Sequence, residues 1–217
     1  MKKIGVLLAG CGVKDGSEIH ESVIALLAID RAGAQAVFMA PNVELHVINH
    51  LNNEATGEKR NVLQESARIA RGNIKDIAQI KASDIDALIL PGGFGAAKNL
   101  SNFAMQGAQA TAHPEVARLV KEVHLAKKPI GAICIAPATI TAILGKDFHP
   151  SLTIGNDSGT ASALEQMGAK HQNCSVREFY VDEKNKIVST PAYMLAERVS
   201  EAAEGIEKLV KKVIELS

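Results

Sequence analysis

Apolar and polar positions follow two alternating patterns along this 217-residue chain. Short unbroken apolar runs predict buried strands at 3–9, 35–40, 85–90 and 130–133. A parallel strand covered on both faces is apolar at every position rather than at every second one. Between these runs the apolar residues follow a helical period. Residues 19–31 carry Ile19, Val23, Leu26, Leu27 and Ile29, with Ser17 as the predicted N-cap and Gly33 as the stop. Further helices are predicted at 61–71, at 113–126 with Pro114 in the first turn, at 136–144 and at 162–169. The last helix, 194–216, places Ile206, Leu209, Val210 and Val213 in period. The stretch 41–57 reads as irregular apart from a short strand at 45–48. Residues 178–190 read as two β-rich runs joined by a polar turn, a hairpin. No repeat or linker interrupts the pattern, and the length suits a single domain over 1–217.

Strand–helix alternation predicts an α/β fold, an open and mostly parallel sheet with helices on both faces. Such sheets bind ligands outside the carboxyl ends of their strands. Three predicted strands end in unusual sequence, namely Gly10-Cys11-Gly12, Pro91-Gly92-Gly93 and Cys134. In a parallel sheet these share one edge.

Composition narrows the function classes. Lys and Arg number 24 against 24 Asp and Glu, so no charge surplus marks a nucleic-acid or anionic-membrane partner. Aromatics make up 3% with no Trp, which argues against base stacking. No run approaches the ~20 apolar residues of a membrane helix. The opening MKKIGVLLAGC has the outline of a lipoprotein leader. Its apolar run falls short of the roughly 7–15 residues of a secretory core and reads better as the first strand. The three cysteines, Cys11, Cys134 and Cys174, stand far apart with no CxxC pair. That fits neither a disulfide framework nor zinc, and the expectation is a reducing cytoplasm with no metal and no cofactor.

The segment PIGAICIAPA, residues 129–138, runs from a buried strand through Cys134 into a helix. This is the arrangement of a nucleophile elbow, whose sharp turn needs small residues two before and two after; Ala132 and Ala136 stand there. The following helix would aim its first N–H groups at the sulfur and is expected to lower the thiol pKa. Ile135 N–H and the Gly92-Gly93 pair would supply oxyanion donors. The stretch DGSEIHE offers Asp15, Glu18, His20 and Glu21 as proton carriers at the same edge. A carboxyl beside a thiolate has its pKa raised and can hold a proton for the sulfur. Cys11 could reach Cys134 as a resolving thiol. Taken singly, Cys134 reads as core, and Glu21, Lys98 and Asn99 read as solvent-exposed. A glutaminase would need His-x-Glu after its cysteine. His149 and His171 are followed by Pro-Ser and Gln-Asn, so glutamine hydrolysis is not expected.

Together GSEIHE, ILPGGFGAAKNLSNFA, GAICIAPA and TPAYML give the chain its resemblance to a known family. Over essentially its full length it resembles the isoprenoid-biosynthesis glyoxalase (enhancing-lycopene-biosynthesis) branch of the ThiJ/PfpI superfamily. The resemblance implies a flavodoxin-like three-layer sandwich, related to class I glutamine amidotransferases, and a homodimer. It places the nucleophile at Cys134, the oxyanion donors at Gly93 and Ile135, and the acidic partner at Glu21. Many members of the superfamily supply a histidine soon after the cysteine. Here the matching positions, around LTIGND, hold none, and His149 fits poorly. The implied activity is that of a cofactor-free, glyoxalase III-type lyase. It would convert a small dicarbonyl, glyoxal or methylglyoxal, to glycolate or lactate, and could also register as a deglycase. The alternative is a non-catalytic, redox-responsive regulatory protein linked to isoprenoid biosynthesis, in which Cys134 is oxidised.

Overall fold

The computed structural model describes residues 1–217. The first half runs β1 Lys3–Leu7, α1 Ile19–Arg31, β2 Gln35–Ala40, β3 Glu44–Ile48, β4 Ala55–Asn61, α2 Val62–Ile69, β5 Ile74–Asp76, β6 Ala87–Leu90, α3 Phe94–Lys98 and α4 Phe103–Gln106. The second half runs α5 Pro114–Leu125, β7 Ile130–Ile133, α6 Ala136–Phe148, β8 Ser151–Leu152, α7 Ser158–Gln166, β9 Lys170–His171, β10 Tyr180–Asp182, β11 Ile187–Thr190 and α8 Val199–Leu216. Seven strands form the main sheet in the order β10-β11-β7-β6-β1-β2-β5. All neighbours are parallel except β10 with β11. The fold is an α/β flavodoxin-like sandwich.

The unbroken apolar runs have a physical reason here. In the central strands β1, β6, β7 and β11 alternate residues feed two different cores, and every position but Lys3 is buried. On one face Leu7, Leu88, Leu90 and Ile130 pack with Leu119, Val123, Ile140 and Leu144 of α5 and α6. On the other, Val6, Ile89 and Ile133 pack with Ala25 and Ile29 of α1 and with Ile206, Leu209 and Val213 of α8. From β1 the chain goes first to β2 on one side and later to β6 on the other. That reversal opens a crevice at the carboxyl ends of β1 and β6, with β7 next in the sheet.

Several elements depart from the sequence expectation. Ser17 does not cap α1: its Oγ accepts from Ala9 N at 2.8 Å, and Glu18 is the cap, accepting from Glu21 N at 2.7 Å. The stretch expected to be irregular holds a two-stranded sheet of its own, β3 with β4. Strand β4 is exposed along nearly its whole length, so it carries no apolar alternation to read. The helix expected from 61 begins at Val62, with the Asn61 side chain accepting from Gln64 N. Residues Ala192–Met194 form a separate 3-10 turn, and α8 starts only at Val199. The 178–190 hairpin is present as β10 and β11. No helix is long and apolar enough to cross a membrane.

Candidate active site

Strand β7 delivers Cys134 into the crevice. Its backbone N–H donates to Thr190 O of the neighbouring strand end at 2.9 Å, and its φ is +61°. A side chain in the left-handed region is strained, and such positions cluster where function requires them. Ala132 and Ala136 on either side are fully buried. The backbone N–H groups of Gly93 and Ile135 stand near enough to the sulfur to favour its charged form.

The partner of the sulfur is Glu21, fully buried in the first turn of α1. Its carboxyl accepts from Gly92 N at 2.9 Å through Oε2 and from Tyr193 N at 3.3 Å through Oε1. The Cys134 thiol lies beside it, close enough that the two groups shift each other's pKa. Two glycines permit this approach. A Cβ on Gly92 would lie 2.5 Å from Cys134 Cβ and 2.7 Å from Glu21 Oε2. Gly93, at φ +91°, would drive a Cβ to 2.5 Å from both Glu18 N and Gly16 O. The Pro91-Gly92-Gly93 turn is pinned by Glu18 N, which donates to Gly92 O at 3.0 Å, and by Phe94 N, which donates to Val13 O at 2.7 Å.

Burial, reinforced by the neighbouring Glu18 charge, pushes the Glu21 carboxyl up to about 7, against the lowering effect of the Tyr193 N–H, the Cys134 thiol and the Gly92 N–H. Burial and the Glu21 charge also push the Cys134 thiol well above its ordinary value. The Gly93 and Ile135 N–H groups act in the opposite direction and are outweighed. This corrects the expected thiolate: helix-terminal donors lower a thiol pKa only when desolvation and a neighbouring carboxylate do not exceed them. The resting site is a neutral thiol beside a carboxyl that changes charge near neutrality.

The structure thus brings Cys134, Glu21, Gly93 and Ile135 together. His149 is not among them. It ends α6 in a left-handed conformation, with Nδ1 bonded to Gly168 O. The 13 residues of α6, at ~1.5 Å rise each, put it about 20 Å from the elbow. His20 is exposed and meets the Tyr193 hydroxyl at 2.7 Å. Cys11 lies beneath the β3–β4 hairpin in a separate cavity of about 140 Å³, with Asp15, His50 and Glu65. All three cysteines are free, and Cys134 opens instead on a cleft of about 460 Å³. Asn99 is structural, its Nδ2 donating to Ala9 O and Asp15 O, both at 2.8 Å. No group of three His, Cys, Asp or Glu side chains is placed to hold a metal ion. Sequence reasoning missed two members of the site, the Gly92 N–H as a ligand of Glu21 and the Tyr193 N–H. The TPAYML motif was the only signal for the second.

A parallel α/β sheet with a cysteine on a strand–helix elbow, backed by a buried carboxyl, defines a class of cysteine-centred sandwich proteins. The chain belongs to the DJ-1/PfpI family, whose model matches residues 9–184. It is 46% identical to the mitochondrial ES1 protein homolog of Rattus norvegicus, an alignment covering 99% of this chain and 84% of the relative. It is 45% identical to the mitochondrial glutamine amidotransferase-like class 1 domain-containing protein 3 of Homo sapiens, over 99% and 83% of the two chains. Among solved structures, an isoprenoid biosynthesis protein with amidotransferase-like domain from Ehrlichia chaffeensis superposes with a TM-score of 0.94 at 39% identity. That superposition covers 100% of this chain and 99% of the other. Drosophila melanogaster DJ-1beta, at 20% identity and a TM-score of 0.57, shares the fold; the match covers 99% of this chain and 95% of that one.

Proposed function

We propose that the protein is a cofactor-independent glyoxalase acting on a small 2-oxoaldehyde. The observation that carries this reading is the fully buried Glu21 carboxyl set against Cys134 at the elbow, so close that a methyl on Gly92 would lie 2.5 Å from Cys134 Cβ and 2.7 Å from Glu21 Oε2. Glu21, as carboxylate, takes the thiol proton while Sγ adds to the aldehyde carbon, giving a hemithioacetal. The Gly93 and Ile135 N–H groups are at hand for the alkoxide that develops beside the sulfur. Glu21 returns that proton to the alkoxide and, as carboxylate again, carries a proton from the sulfur-bearing carbon to its neighbour through an enediol, leaving a thioester of the 2-hydroxy acid. Water cleaves the thioester and restores the thiol. In sum, glyoxal and water give glycolate: one carbon is oxidised, the other reduced, and no external electron carrier is consumed.

The test is glycolate formation from glyoxal by purified protein, with Cys134→Ala as the blank for dicarbonyl trapped by surface lysines. Turnover is expected in the wild type and only background in the variant; equal glycolate from both removes the proposal. The pH profile adds a second expectation. The reacting state needs one proton shared between Glu21 and Cys134. A thiol with a carboxylate and a thiolate with a protonated carboxyl are the same net state and kinetically equivalent. Below about 7 the site carries an extra proton, on Glu21, and the sulfur proton has no acceptor. Accordingly kcat/KM rises with pH through about 7. A profile flat from about pH 6 to about pH 8 removes Glu21 as the proton carrier. The implied homodimer belongs to the same reading; light scattering reads it directly, and a monomer mass removes it.

A further inference from the structure

The cleft in front of Cys134 is larger and more apolar than glyoxal requires. Its volume is about 460 Å³. Glyoxal fills on the order of two or three waters' share of liquid, at ~30 Å³ apiece. Val13, Phe94, Ala97, Phe103, Ala104 and Met194 form much of the wall. Only two charged side chains line it, Glu18 and Asp157, and both are committed as helix caps. Glu18 Oε2 accepts from Glu21 N at 2.7 Å, and Asp157 Oδ1 from Thr160 N at 2.7 Å. No Lys, Arg or His lines the cleft. Lys14 and Lys98 do sit over the Phe94 ring, their ammonium nitrogens 5.7 and 5.3 Å from its centroid, but neither is a wall residue. An anionic substituent entering here finds no counter-charge and two carboxylates.

From this we infer that the site is built for an uncharged 2-oxoaldehyde bearing an apolar aryl or alkyl group on its ketone carbon, with that group seated against Phe94 and Phe103. The inference rests on the glyoxalase reading. The reaction keeps its balance: R–CO–CHO and water give R–CH(OH)–COO⁻ and a proton, the aldehyde carbon being oxidised and the ketone carbon reduced. Burying an aryl group on such a wall, at about 25 cal/mol per Å² of apolar surface, is enough for tenfold selectivity or more.

Two measurements test it, the second independent of turnover. The first compares kcat/KM for phenylglyoxal, followed as mandelate, with that for glyoxal, each corrected by Cys134→Ala. Phenylglyoxal is expected to be better by about tenfold or more. Ala104→Phe, which puts a ring into the space, is expected to lower that ratio by about tenfold. The second follows alkylation of Cys134, site-resolved by mass spectrometry, by N-phenyl iodoacetamide and by iodoacetamide, with glutathione as the free-thiol reference. The protein is expected to favour the phenyl reagent by about tenfold more than glutathione does. A phenylglyoxal kcat/KM at or below that of glyoxal overturns the inference, and so does an alkylation preference equal to glutathione's. If neither dicarbonyl turns over, the glyoxalase reading falls and the alkylation ratio alone decides what the cleft accepts.

Discussion

Glu21→Gln is expected to lower glyoxalase turnover by about a thousandfold while making the protein more stable at neutral pH. Both effects have one cause. The amide fills the same space and can accept from Gly92 N, but it cannot take the Cys134 proton. It also carries no charge to be buried. In the folded protein the Glu21 carboxyl titrates at about 7 against an ordinary 4.5. Between those values the folded state binds more protons than the unfolded chain, so wild-type stability falls as pH rises through the interval. At about 1.4 kcal/mol per pH unit, the loss is about 3 kcal/mol once the pH exceeds 7. The gap between variant and wild type should therefore be small near pH 4.5, widen to about 3 kcal/mol near pH 7, and stay constant above. Urea unfolding of both proteins across that range reads it. A gap independent of pH would mean that Glu21 is not held near neutrality by its surroundings.

Gly92→Ala is expected to abolish activity with a single methyl group. The added carbon meets Cys134 Cβ at 2.5 Å, Glu21 Oε2 at 2.7 Å and Ile133 O at 2.9 Å. None of the three can swing aside. Ile133 O is strand backbone, Cys134 Cβ is fixed by the elbow, and Glu21 is held by two backbone N–H groups. The turn must move, costing about 2–3 kcal/mol, and the Gly92 N–H is lost to Glu21. Activity should vanish in protein that still folds. Gly159→Ala makes the contrast. Its Cβ would meet only Asp157 Oδ1, at 3.6 Å, inside α7, so this change should be neutral or stabilise by up to about 1 kcal/mol. Thermal unfolding of the pair separates the two outcomes.

What the sequence made legible follows from what water does to a pattern. Strands β1, β2, β6 and β7 are covered on both faces and read as apolar runs, while α5 and α8 each show one apolar stripe. In α1 the expected stripe is not the buried one: Ile19, Val23 and Leu27 are exposed, and the helix buries Glu21, Ser22, Ala25 and Ile29. Strand β4, with sequence ATGEKRN, touches little and reads as nothing. The elbow was visible because its constraint is local: Ala132, Cys134 and Ala136 are neighbours in sequence. The ligands of Glu21 were harder to see, because the Gly92 and Tyr193 donors are main-chain atoms and leave no residue-type signature. The thiol pKa was misjudged for a related reason. The N–H donors that lower it are local to the elbow, whereas the burial that raises it comes from the whole fold, and Glu21 lies more than a hundred residues away in sequence.

The positive φ of Cys134 has an evolutionary meaning. An L-residue in that conformation gives up roughly 1–2 kcal/mol, and glycine gives up none. Cys134→Gly should then outlast Cys134→Ala in a thermal melt, although both have lost the sulfur and only one keeps a β-carbon. Selection for a durable chain alone would drift position 134 toward glycine. A cysteine there records a demand from outside the folding problem, written in the backbone as well as in the side chain.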